Sequence, residues 1–335
     1  RRTTFWGYPK GNIVAITQAS SLSVDQAAYD RLAYFALRSE LLFDQAADVQ
    51  ATNQAMPGSS VIFTIFNELS VATSTLSETA DLTPATMGDS QVTVTLAEYG
   101  NTVSTTAKLR GTSFLDVDAT AANLIGYNAG SSIDTVVQAV LGAGTNVAYA
   151  TGGAAVPTSR ESVKADAILT ANDIRKATAA LRTANVATFN GYYMGYIHPD
   201  VSYDLRKETG NASWNAPHVN VDTQGIYNGE IGTFESVRFI ETPRAPLNAN
   251  ASNGTSTTGT IDVYSTLVMG RQALAKAYSA IDGNGVVPKV VRGPVVDSLL
   301  RFNPIGWYWL GGYGRFREAS LRRVESSSSI GANAS

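Results

Sequence analysis

Hydrophobic positions in this chain recur with two periods, helical and extended, and switch between them several times. Ser23 and Gln26 form an S-x-x-Q pair, in which each side chain can bond the other residue's free backbone N–H at a helix start. Leu32, Phe35 and Ala36 follow on one helical face. This predicts a helix from Ser23 to about Ala47, closed off by Pro57-Gly58. The period then drops to two. Val61, Phe63 and Ile65 alternate with Ile62, Thr64 and Phe66, and Val92, Val94 and Leu96 alternate with Thr93 and Thr95. Between these runs, Ser70 to Ser90 is polar and broken by Pro84 and Gly88. Two strands with a long polar tip predict an extended hairpin over 59–107, which is barely stable alone and has to lie on another surface.

The helical period returns from Asp116 to Leu141, with Ala121, Leu124, Ile125, Ile133, Val136, Val137, Val140 and Leu141 in phase and Gly142-Ala143-Gly144 as the stop. Gly126 and Gly130 weaken its middle by about 1 kcal/mol each, and close backbone packing is the expected compensation. Gly152-Gly153 reads as a linker to a third helix, capped at Thr170, with Ile174, Ala177 and Leu181 on one face. Tyr192–Ile197, Val237–Ile240 and Ile261–Met269 read as strands, and His198-Pro199-Asp200 opens a short helical turn. Asn248–Gly259 is polar and of low complexity, which predicts a surface loop. Leu299–Val324 is strand-like and aromatic, with Trp307, Tyr308, Trp309, Tyr313 and Phe316, and Gly311-Gly312 predicts a bulge or bend. No internal repeat is present. Residues 1–22 have two readings: a solvated tail, since Gly7, Pro9 and Gly11 block a helix, or a docking arm, since Phe5, Trp6, Tyr8, Ile13, Val14 and Ile16 are apolar.

Composition narrows the class. A chain of 335 residues has room for two or three domains. Abundant Gly, Ser, Thr, Ala and Asn favour strands and turns over a helical bundle, so the fold class is α+β. A net charge of −3 supplies no global attraction to nucleic acid or anionic membrane. Zero cysteines exclude disulfides, thiol catalysis and thiolate metal sites. No apolar run approaches the roughly 20 residues of a membrane span. The Arg1-Arg2-Thr3-Thr4-Phe5-Trp6 start lacks an apolar signal region and an initiating Met, which reads as processing or trimming.

Catalytic signatures are sparse. The chain contains no G-x-x-x-x-G-K-[ST], no G-x-S-x-G and no H-E-x-x-H. Its two histidines are His198 and His218. His198, near Asp200, Ser202 and Asp204, is the best hydrolase candidate, but adjacency in sequence does not make a triad. The competing reading is a cap on the turn that Pro199 begins. Asp116-Val117-Asp118 reads either as a cation site or as carboxylates at a helix start. The sequons Asn211-Ala212-Ser213 and Asn253-Gly254-Thr255 are expected by chance in this composition. No cofactor or metal is expected.

Charge is segregated along the chain. From Val61 to Ala107 stand Glu68, Glu78, Asp81, Asp89 and Glu98, with no Lys or Arg. From Lys289 to Arg323 the cations Lys289, Arg292, Arg301, Arg315, Arg317, Arg322 and Arg323 face only Asp297 and Glu318. Two solvated surfaces account for this. So does an acidic hairpin lying across a basic surface of the next copy, with complementary charge fixing register.

The element order — arm, helix, long hairpin, long helix, mixed middle, final strands — resembles the HK97-type major capsid proteins of tailed phages. Three segments are similar to the branch typified by coliphage N-four: Gly195-Tyr196-Ile197-His198-Pro199-Asp200, Gly229-Glu230-Ile231-Gly232 with Val237-Arg238-Phe239-Ile240-Glu241-Thr242-Pro243, and Val263-Tyr264-Ser265-Thr266-Leu267-Val268-Met269-Gly270. The resemblance spans nearly the whole chain. It implies an N-terminal arm (1–22), a helix leading into the loop (23–58) and an extended loop (59–107). It further implies a peripheral domain with a spine helix (108–159), an axial domain (160–285) and peripheral return strands with a tail (286–335). It also implies a non-enzymatic virion subunit assembled in the host cytoplasm, forming hexamers and pentamers around double-stranded DNA. A portal and a scaffold or cement protein would be its partners, and no membrane. In the type phage a lysine on the extended loop forms an isopeptide bond to a neighbour's asparagine. This chain has no lysine there, so a non-covalent or cement-clamped shell is expected. Arg1, Arg2 and Lys10 are candidates for sequence-independent contact with DNA on the inner face. Other readings are an encapsulin-like compartment shell, a tail component, the His198 hydrolase and a surface adhesin.

Overall fold

The computed structural model describes residues 43–52, 60–66, 69–113, 116–151, 156–209, 230–252, 261–279 and 287–330, apart from 74, 77, 80, 82, 83, 293, 295, 296 and 300. In chain order, a 3₁₀ turn (Phe43–Ala46) leads into β1 (Ala47–Thr52), β2 (Ser60–Phe66), β3 (Asp89–Thr95) and β4 (Ala97–Thr106). Next come α1 (Ala107–Thr112), α2 (Val117–Gly142), β5 (Val147–Tyr149), α3 (Ala171–Thr183), β6 (Tyr193–Ile197) and α4 (Pro199–Lys207). Then follow β7 (Glu230–Phe234), β8 (Val237–Glu241), β9 (Leu247–Ser252), β10 (Ile261–Met269) and β11 (Leu274–Ser279). The described chain ends with β12 (Lys289–Arg292), β13 (Phe302–Arg315) and β14 (Leu321–Ser326). Among the described residues two compact units result: one holds those within 98–131 and 287–309, the other the rest.

In the first unit, β12 pairs antiparallel with the start of β13, from Lys289↔Tyr308 to Arg292↔Ile305. Residue Asp116 starts α2: its Oδ1 accepts from the backbone N–H groups of Asp118 and Ala119, as a helix-start carboxylate should. Asp118 instead pairs with Arg110 and Arg292. Among the described residues no cluster of metal-ligating side chains occurs. Trp307 Nε1 and Asn101 Nδ2 both donate to Asn128 Oδ1, a polar pin between the start of β13, β4 and α2. Gly126 corrects one expectation: a Cβ there would meet nothing, so close packing does not compensate for it.

The second unit is organised by a seven-stranded sheet in the order β5-β14-β10-β6-β8-β7, with β9 also on β10. Leu267, Val268 and Met269 of β10 are fully buried at the centre of the sheet, where the strand pairs on both edges, and Val268 packs into the main core. The helices α3 and α4 carry one apolar stripe each: Ile174, Ala177 and Leu181, and Val201 and Leu205. Both stripes join Tyr193, Phe239, Tyr264 and Val324 in the main core. The cap expected at Thr170 is present, with Thr170 and Asp173 satisfying each other. Glu325, fully buried, is held by Arg160 and Arg323.

The described chain does not fray after β14. Ser327 donates from N to Ala167 O and from Oγ to Ala165 O, Ser328 Oγ donates to Asp200 O, and Ser329 bonds the buried Asp204 carboxylate.

Four further expectations are corrected. The first helix does not reach Ala47. By Phe43 the chain is a 3₁₀ turn, and from Ala47 it is a strand paired in parallel with β11, because Asp44 is held by Lys276 and Tyr313. The earlier part of that helix lies outside the described residues. The hairpin is shorter than 59–107: its ladder joins β2 to β3, from Ser60↔Thr95 to Phe66↔Asp89, and β4 leaves it to lie on β13. Residues 247–252 are a strand, not a loop; its asparagines bond the facing strand, Asn248 Nδ2 to Ser265 Oγ and Asn250 N to Asp262 Oδ1. The rest of that loop lies outside the described residues. Gly311 and Gly312 form no bulge, since β13 pairs with β11 in unbroken register from Leu274↔Arg315 to Tyr278↔Gly311.

Candidate assembly surfaces

The β2–β3 hairpin has two unlike faces, as strand alternation requires. On the inner face Phe63 and Val94 are buried against Ala275 and Ala277, with Phe316 beside them. On the outer face Ile62 and Phe66 are 54% and 67% exposed. The segment joining the strands exposes Leu69, Val71, Leu76 and Met87, with Val71 at 85%. Contiguous exposed apolar surface is where proteins commonly meet partners. Beside the root of the hairpin lies an open cleft of about 740 Å³, lined by Val92, Val136, Ala139, Val140 and Phe316.

Glu78 and Asp81 lie exposed on the joining segment. Asp89 begins β3 and accepts from Gln91 Nε2. Glu98 stands on β4, off the hairpin. Glu68, Arg1, Arg2, Lys10, His218 and both sequon asparagines lie outside the described residues.

The arginines of the C-terminal segment turn inward. Arg315 pairs with Glu318 and donates from Nη1 to Val140 O, while Arg323 donates to Gly142 O. Both therefore satisfy carbonyls at the end of α2, where the helix dipole favours cations. Arg317 caps α3 through the Ala184 and Asn185 carbonyls. Arg322 donates to Asn146 Oδ1, and burial holds its pKa, like that of Arg323, below the usual arginine range. Arg301 is half exposed and pairs with Asp297 at 2.6 Å. No property of the sequence marked the first four as inward, because their partners are mostly main-chain oxygens far along the chain.

His198 is the N-cap of α4. Its Nδ1 accepts from Asp200 N, with Pro199 in the first turn. Its ring packs 4.9 Å from that of Tyr264, whose hydroxyl donates to Asp200 Oδ2. Burial holds the His198 pKa below the usual histidine range, with the charges of Asp200 and Glu241 acting the other way. The Ser202 hydroxyl is 2.7 Å from a Glu241 carboxylate oxygen and also bonds Pro199 O and Arg206. The arrangement fits a capped helix start.

The mixed α+β fold pairs a two-stranded hairpin with a long helix, and comparison with known proteins gives its class. A family model described as phage capsid protein matches residues 18–330. No curated protein sequence matches the chain. The fold is similar to the capsid of Ralstonia phage GP4 (13% identity, 97% of this chain and 100% of that chain, TM-score 0.68). It is also similar to the cyanophage Pam1 capsid (14%, 96% and 100%, 0.68). The acid-stable capsid of Helicobacter pylori bacteriophage KHP30 is a third (14%, 96% and 100%, 0.63). The chain belongs to the phage capsid protein family: it is a major capsid protein with the HK97-like fold, a shell component of the virion.

Proposed function

We propose that this subunit closes through hexamers and pentamers into an icosahedral shell around double-stranded DNA, with the β2–β3 hairpin as its arm onto the neighbouring copy. The observation that carries this reading is the exposed outer face of the hairpin, Ile62 and Phe66 with Leu69, Val71, Leu76 and Met87 beyond it. Burying that ribbon supplies attraction, and charge supplies register. On the acidic side are Glu68, Glu78, Asp81, Asp89 and Glu98. On the basic side Arg301 is the solvent-facing member, supported by Arg292, 65% exposed. Arg315, Arg317, Arg322 and Arg323 belong to the same proposed basic set, although their hydrogen bonds are spent within the subunit.

The domain scheme of arm, extended loop, peripheral and axial domains, and the branch typified by coliphage N-four, belong to the same proposal. So do assembly in the host cytoplasm, a portal, a scaffold or cement protein, and loose DNA contact through Arg1, Arg2 and Lys10. The role is structural rather than catalytic. No described helix is long and apolar enough to cross a membrane.

Electron microscopy of the purified protein tests the reading: closed, uniform shells containing DNA are expected, whereas particles loaded with a cargo enzyme would favour a compartment shell. Glu78→Lys with Asp81→Lys should fold normally and fail to assemble. Normal shells from that variant overturn the charged-arm reading.

A further inference from the structure

The root of the hairpin rests on glycine, and we propose that Gly312 and Gly314 are positioning residues that set the direction in which the hairpin leaves the subunit. This rests on the reading of the hairpin as an inter-subunit arm. At the root, Phe63 and Val94 are buried and the Phe63 and Phe316 rings are 5.3 Å apart. A Cβ built on Gly312 would overlap the Thr95 carbonyl oxygen, and one on Gly314 would stand 2.8 Å from Val94 Cγ2.

Neither glycine is explained by its own strand. The β13–β11 ladder runs through both positions in continuous register, and neither has a positive φ. Glycine inside a strand weakens it unless another backbone has to come close. Here the end of β3 does, at two consecutive same-face positions of β13.

The consequence is leverage. Beyond Phe63 and Val94 the ribbon is exposed on its outer face, so the seat governs its angle. Tilting the root displaces the far end of β2 in proportion to its distance along the strand, which advances about 3.3 Å per residue. The cleft beside the root, lined by Val92, Thr93 and Gly314 among others, gives a displaced root somewhere to go without unfolding the sheet.

The two contacts differ in kind, which makes the inference testable. The neighbour of Gly314 is a side-chain methyl, so Val94→Ala removes it. The neighbour of Gly312 is a main-chain oxygen that no side-chain substitution removes.

The chain has no cysteine, so cysteines introduced at the exposed Thr64 and Lys176 can carry spin labels that report hairpin direction in full-length unassembled protein. Electron microscopy of unlabelled protein reads shell formation. Gly314→Ala should keep its circular dichroism spectrum, shift the label distance and lose closed shells. Adding Val94→Ala should restore both, whereas Val94→Ala should not rescue Gly312→Ala. An unchanged label distance in Gly314→Ala, or no restoration by Val94→Ala, overturns the proposal. If Gly314→Ala alone does not fold, the double variant decides: a native fold with a native label distance supports the seat, and a native fold with a displaced hairpin overturns it. A shifted distance with normal shells keeps the seat and removes the arm reading instead.

Discussion

The Arg244 guanidinium donates from Nε to Asp134 Oδ2 across 2.8 Å, at a point of α2 where Asp134 is 2% exposed. The same carboxylate accepts from Phe43 N and Gln138 Nε2, so one buried charge fastens three segments of the second unit. Removing one member of such a pair strands the other and costs about 3–5 kcal/mol. Asp134→Ala should therefore lower unfolding stability by that order in denaturant melts. The double variant with Arg244→Ala should cost less than the two single changes together. A loss under about 1 kcal/mol, the range of a surface pair, would show that the pair is dispensable.

Lys276 is 2% exposed, while its partner Asp44 is 43% exposed. The two changes should not be equivalent. Asp44→Ala takes the facing carboxylate away from a buried cation. Lys276→Met removes the charge, fills similar space and relieves the desolvation of burial. Thermal melts should rank Asp44→Ala as the more damaging, and the reverse order would place the energetic weight elsewhere.

The His198 cap works only while Nδ1 is unprotonated. Its folded pKa is lowered, chiefly by burial, so its contribution is present above the ordinary histidine value of about 6.5 and is lost as pH falls through the lower folded value. His198→Asn keeps a capping acceptor without a titrating group. The stability of wild type relative to this variant should fall below pH 6 and stay level above pH 7. A parallel pair of curves would mean that His198 titrates alike in the folded and unfolded states.

The stretch from Val61 to Ala107 contains no lysine. Purified particles boiled in denaturant should run as one band near 35.4 kDa. A ladder of multiples would reveal a covalent link formed from other residues.

Elements that write their own period were legible from residues alone: α2, α3, β10 and the β2–β3 ladder all stand close to where periodicity placed them. Those that depend on distant partners were not. The end of the first helix gave way to β1 because Asp44 meets Lys276, 232 residues later. Leu274–Ser279 reads as an unremarkable LAKAYS, and its lysine gives no sign of burial until Asp44 and Tyr313 surround it. For the assembly surface, alternation gave the two faces of the hairpin but not which face the subunit keeps. Nor did composition show that Arg315 and Arg323 are committed to carbonyls 175 and 181 residues earlier.

The serine run after β14 looks like a spacer and behaves as a mooring. Backbone and hydroxyl groups from Ser327 to Ser329 are tied to two separate stretches, Ala165–Ala167 and α4. Ile330, half exposed, therefore stands on a fixed post. A peptide grafted directly after it would be displayed from a defined point on every subunit, with its spacing inherited from the shell lattice.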